Sequence, residues 1–168
     1  MNFLRVFWLG FVMPLNRNPE GLLMRTLILA IAALALTGSS AFADPIADRK
    51  AIMKERGRLV GTVAPMVKGE KPFDAAVAMT ALKGLSENAE KFDVDVLFPA
   101  GSETGDTAAL PAIWQDMTAF KAAAEKFRVA AAAAVAANPQ DLEAFKTQFN
   151  AVTTNCGSCH EKFRMKKE

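Results

Sequence analysis

"LEAFKTQFNAVTTNCGSCHEKF", residues 142–163, decides the fold. Leu142, Phe145, Phe149, Val152, Cys156, Cys159 and Phe163 follow one another in alternating steps of three and four. That spacing puts all seven on one face of an α-helix, as in the seam of a helical bundle. Both cysteines of the chain belong to this seam, and the only histidine, His160, lies four residues after Cys156 on nearly the same face.

Three more stretches repeat the rule. Ile52, Met53, Leu59, Val60 and Val63 share one side of a helix expected over residues 46–63, with lysines and arginines between them; Pro65, Gly69 and Pro72 close it. Ala75, Ala78, Leu82, Leu85, Ala89 and Phe92 mark a second helix over 74–92. Leu110, Ile113, Met117, Phe120, Ala124, Phe127 and Ala131 mark a third, with Pro111 near its start, where a missing N–H costs little. "NPQD" at 138–141 ends that helix and opens the last. The loop "DVDVLFPAGSETGD", 93–106, is read as irregular because of Pro99, Gly101 and Gly105. Four amphipathic helices without a strand signal predict an all-α, antiparallel four-helix bundle.

Composition and charge agree. Apolar residues make up 51% of the chain, enough to core one domain. Residues 1–43 hold Arg5, Arg17 and Arg25 against Glu20, which accounts for the whole formal charge of +2 and leaves residues 44–168 neutral. A neutral body lacks the basic face that nucleic acid requires. Within 1–43, "MRTLILAIAALALTGSSAFA" has a basic start, an apolar run from Leu27 to Leu36, and small residues ending in Ala41-Phe42-Ala43. This is the pattern of a cleavable secretory signal, too short to span a bilayer. The expected organisation is a leader and signal peptide at 1–43, removed on export, and one domain at 44–168 beginning at Asp44. No stable membrane insertion is expected after cleavage, and the expected location is the periplasm.

Export raises the question of what the two thiols become. Cys-x-x-Cys-His is the attachment signature of c-type haem. Cys156 and Cys159 would add across the porphyrin vinyl groups as thioethers, and His160 would reach the iron from the same rigid turn. Three alternatives stand beside this. A disulfide between i and i+3 of a helix is poorly matched in geometry. A thiol redox enzyme expects a βαβ setting with the motif opening a helix. Zinc wants four ligands, and these three residues do not supply them alone.

The region from Asp44 onwards resembles the cytochrome c′ family, the class II cytochromes c. The resemblance rests on Cys156, Cys159 and His160 near the C-terminus, on "PMVKG" at 65–69, on "FPAGSETGD" at 98–106 and on "LPAIW" at 110–114. It implies one covalently bound haem c in a four-helix bundle. High-spin members of the family carry an apolar side chain over the distal haem face and have five-coordinate iron; a low-spin branch places methionine there, often within R-x-x-x-M-K. Residues 49–54 read "RKAIMK", so the resemblance implies Met53 as the second axial ligand and likeness to the six-coordinate branch. The plain alternative is that Met53 fills the core, with Met66, Met79, Met117 and Met165 competing for the ligand role.

The resemblance also suggests haem contacts for Arg49, as a propionate partner, for Arg164, which falls at a basic position of the family, and for Phe98 and Phe163. It implies an electron carrier rather than an enzyme, working with unidentified redox partner proteins, and a homodimer through the first two helices. The alternative function is a five-coordinate haem protein that binds nitric oxide or carbon monoxide; a thiol redox enzyme is a third.

Overall fold

The computed structural model describes residues 44–166. The expectation for 1–43 lies outside the described residues. Four long helices carry the domain: α1 (Pro45–Val67), α2 (Ala75–Glu90), α5 (Met117–Ala137) and α6 (Leu142–Phe163), with two single turns, α3 (Val94–Leu97) and α4 (Ala112–Gln115), in the connection between α2 and α5. The chain folds as the four-helix bundle that its periodicity predicts. Contacts run mainly from α1 to α2, α2 to α5 and α5 to α6.

Aspartates start the helices. Asp44, Asp74, Asp116 and Asp141 precede α1, α2, α5 and α6, and each carboxylate accepts from backbone N–H groups of its first turn. Such caps satisfy donors that a helix cannot pair internally and contribute roughly 1 kcal/mol each. Asn138, in the left-handed conformation at φ 44°, ends α5.

Three expectations are corrected in detail. The 93–106 stretch is not wholly irregular, because Asp93 caps the single turn α3 by accepting from the N–H groups of Asp95 and Val96. The third helix is not continuous from Leu110. It breaks at Asp116 (φ −140°), whose carboxylate caps α5, so that α4 remains a separate turn. The first helix does not stop at Pro65 but runs through it to Val67. Proline forfeits only the bond to Gly61, an exposed position, and the Pro65 carbonyl accepts from the N–H of Glu70 and of Lys71 just beyond the helix.

The interior divides into two apolar clusters. One is built around Leu59, Val63, Leu82, Leu85, Phe145, Phe149 and Val152 and fills the space between the four helices. The other gathers Val94, Leu97, Phe98, Ile113, Phe120 and Phe163 around the α2–α5 connection. Cys156 packs against the first and Cys159 against the second.

Candidate haem site

Between α1 and α6, which touch little, lies a cavity of about 480 Å³, within the size range of ligand pockets. Its α1 wall consists of Arg49, Met53, Arg56, Gly57 and Val60, successive positions on one helical face. Phe120, Ala123, Ala124 and Phe127 of α5 form the floor, and Phe92, Phe98 and Ile113 close one end. From α6 come Cys156, Cys159, His160 and Phe163, with Arg164 immediately beyond. Small side chains hollow the space: a Cβ added to Gly57 would meet nothing within 4 Å, and Ala123 and Ala124 offer only methyl groups.

Every site residue expected from the sequence lines this one cavity. Both thiols are free and half-buried. Burial pushes both upward from the usual thiol range, and the nearby Arg56 guanidinium partly offsets that rise. His160 is pushed down, first by burial and then by the positive charges of Arg164 and Arg56. A lowered value keeps the imidazole neutral, the form that binds iron. Among the described residues, no group of three or more His, Cys, Asp or Glu side chains is arranged to hold a bare metal ion.

The described methionines differ in position. Met79 and Met117 pack against the two clusters, Met66 is buried, and Met165 is 47% exposed. Met53 joins neither cluster and alone among the described methionines lines the cavity. Phe98 and Phe163 are both buried cavity walls, edge-on to Phe120 with ring centres 4.7 and 5.0 Å away. Phe145 and Phe149 stack on each other inside the first cluster, away from the cavity.

Arg49 has a further task. It is buried at 4% exposure. Nη1 donates to the Leu97 carbonyl (3.3 Å) and Ser102 Oγ (3.2 Å), and Nη2 to the Ser102 carbonyl (2.8 Å) and Thr107 Oγ1 (2.9 Å). The guanidinium also lies 4.9 Å from the Phe98 ring centre. Arg49 therefore ties α1 to the 97–107 loop, and only Nε, buried without a partner, is left for anything in the cavity. Arg164 is exposed at the rim, held there because Leu110 N–H donates to the Phe163 carbonyl (3.0 Å) and Met165 N–H to the Ala108 carbonyl (2.9 Å).

Sequence reasoning missed Arg56, read as one of the polar residues between apolar positions. Its spacing carried the signal, since Arg56 lies three residues after Met53 and seven after Arg49, on the same face. Taken together, the donor set fits an iron porphyrin: two thiols and an imidazole on one helix, a thioether opposite, aromatic walls, and two buried guanidinium nitrogens, Arg49 Nε and Arg56 Nη2, without partners.

Comparison with known proteins points the same way. The sequence model of the family described as Cytochrome C′ matches residues 44–164. A cytochrome c′ from Rhodopseudomonas palustris is 43% identical over 150 residues, covering 86% of this chain and 99% of the relative. A cytochrome c-556 from Agrobacterium fabrum is 42% identical over 125 residues, covering 74% of this chain and 84% of the relative. A solved structure of cytochrome c′ from Rhodopseudomonas palustris superposes with a TM-score of 0.69 at 42% identity, covering 75% of this chain and 99% of that one.

Proposed function

Because the chain belongs to the cytochrome c′ family, we propose that it is a periplasmic mono-haem cytochrome held together at Cys156, Cys159 and His160. The family's cofactor is covalently attached haem c, and this chain has the two cysteines to bind it. The haem would supply a one-electron iron couple and a coordination site for small gases. Cys156 and Cys159 would tether the haem, His160 would ligate its iron, and the aromatic walls would keep water from it.

Two functions share this site, and Met53 divides them. Gas binding fits the family named by the comparisons better. High-spin members of the family have five-coordinate iron, and both the family match and the relative at 43% identity carry the cytochrome c′ name. In this reading the walls of the cavity leave an apolar distal pocket for nitric oxide or carbon monoxide.

The second reading is the electron carrier. One specific observation favours it: Met53 lines the cavity and packs into neither cluster, which is unlike core filler. A thioether ligand opposite His160 would favour ferrous iron and raise the reduction potential.

Optical spectra of periplasmically expressed protein, oxidised and reduced, with and without carbon monoxide, separate the two. A high-spin spectrum, fast carbon monoxide uptake and an unchanged spectrum in Met53→Leu establish gas binding. A low-spin spectrum in both states that turns high-spin in Met53→Leu establishes the carrier. A colourless protein with no mass beyond its amino acids sinks both.

Neither function makes the chain an enzyme. The thiol redox alternative loses support because burial raises both thiols, whereas reactive cysteines need a lowered value. Removal of residues 1–43 is part of the proposal. Two facts support a mature start at Asp44: its carboxylate caps α1, and the family match begins at the same residue. Among the described residues no helix is long and apolar enough to cross a membrane. Redox partner proteins would approach the rim where Lys162 and Arg164 are exposed. A homodimer through α1 and α2 remains what the family resemblance implies.

A further inference from the structure

The α1 wall of the cavity carries a cation that neither function above employs. Arg56 Nε donates to Asn88 Oδ1 at 2.8 Å. Asn88 is fully buried on α2, and its Nδ2 donates to the Ile52 carbonyl (3.1 Å) and to Glu55 Oε2 (3.0 Å). All three of its bonds reach α1, so Asn88 clamps the arginine in one orientation. The guanidinium lies 4.0 Å from the centre of the Phe127 ring and 5.1 Å from that of Phe92. Nη2 is buried without a partner, and none of the ion pairs among the described residues includes Arg56. Its charge is felt at Cys156, Cys159 and His160.

We propose that Arg56 is a fixed, unpaired cation set against the cysteine-bearing edge of the haem, where it raises the reduction potential. The proposal rests on haem attachment at Cys156, Cys159 and His160, and holds whichever of the two functions is correct. Reduction brings one electron from an external one-electron donor and takes ferric iron to ferrous, with no bond made or broken. The site thereby loses one unit of positive charge. A neighbouring cation repels the ferric state more than the ferrous, and the half-buried position of Arg56, with Nη2 fully buried, reduces screening by solvent and salt. Stacking on two rings stabilises the guanidinium there without neutralising it. Arg56 is thus a tuning residue rather than a ligand.

The test compares holoprotein carrying Arg56→Gln, Arg56→Met and Arg56→Lys by spectroelectrochemical titration, with haem content, spin state and circular dichroism measured on each. Loss of the charge in the Gln and Met variants should shift the reduced-to-oxidised ratio at fixed potential at least tenfold towards ferric, about 59 mV for one electron. Spin state and helicity should not change, and the Lys variant should retain most of the wild-type potential. A shift below twofold in the neutral variants overturns the proposal. So does an equal fall in Arg56→Lys, which would assign the effect to hydrogen bonding rather than charge, or a change of spin state, which would assign it to the distal ligand. Neutral variants that fail to fold or to hold haem also overturn it, making Arg56 a folding residue. Wild-type protein without covalent haem is a different outcome, and it removes the haem reading itself.

Discussion

Replacing Arg49 by methionine measures how much of the loop depends on one side chain. Methionine retains most of the stem and its packing but removes four hydrogen bonds, two of them short, at 2.8 and 2.9 Å. The acceptors left behind include the carbonyls of Leu97 and Ser102, residues that are 4% and 6% exposed as a whole. A buried acceptor without a donor costs about 1–3 kcal/mol, and a hydrogen bond to a charged group contributes about 1.5–3 kcal/mol. Against this stands the relief of no longer desolvating a guanidinium, the cost that depresses its own ionisation. The balance is a loss of roughly 3–5 kcal/mol. At about 4 °C per kcal/mol for a domain of this size, the melting temperature should fall by roughly 10–20 °C. Thermal unfolding followed by far-ultraviolet circular dichroism reads it. Arg49→Lys should recover only a minor part, because a single ammonium does not reach four divergent acceptors. A loss under about 1 kcal/mol in the methionine variant would refute the loop-tying role and return Arg49 to the cavity as a propionate partner alone.

Two further outcomes follow from the packing and the leader. Phe145→Ala empties a site with 0% exposure between Phe73 and Phe149; it should cost about 3–5 kcal/mol in urea unfolding with little effect on the haem spectrum, since Phe145 does not line the cavity. Intact mass of protein from the periplasm should equal residues 44–168 plus one haem, and a mass that retains any of 1–43 would move the cleavage site.

The bundle was legible because its helices obey a period that sequence alone displays. Leu142 to Phe163 is a full turn-by-turn seam, and the same seven positions carry the cysteines, so fold and attachment site emerged from one pattern. The aspartates that cap the long helices stand in the sequence, yet none was read there as a cap. The single turns α3 and α4 were not legible, because four residues are too few to show a period, and Asp93 and Asp116 do their capping inside stretches dominated by proline and glycine signals. Pro65 misled because proline usually ends a helix, yet near a C-terminus it forfeits only one bond. Arg56 was misjudged, whereas Arg49 was expected at the haem and lines the cavity, and only its tie to the 97–107 loop was missed. An arginine between apolar positions of an amphipathic helix reads as solvent-facing, and only the tertiary partner Asn88 reveals that the Arg56 charge points inward.

The division of the interior into two clusters bears on where the two tethers of a haem would sit. Of the buried residues in the cluster spanning α1, α2, α5 and α6, only Phe127 lines the cavity. The other half leans on a void that aromatic rings face but do not fill. Cys156 belongs to the first side and Cys159 to the second. With haem attached as proposed, its two tethers would root one in each half of the interior and so couple them through the cofactor.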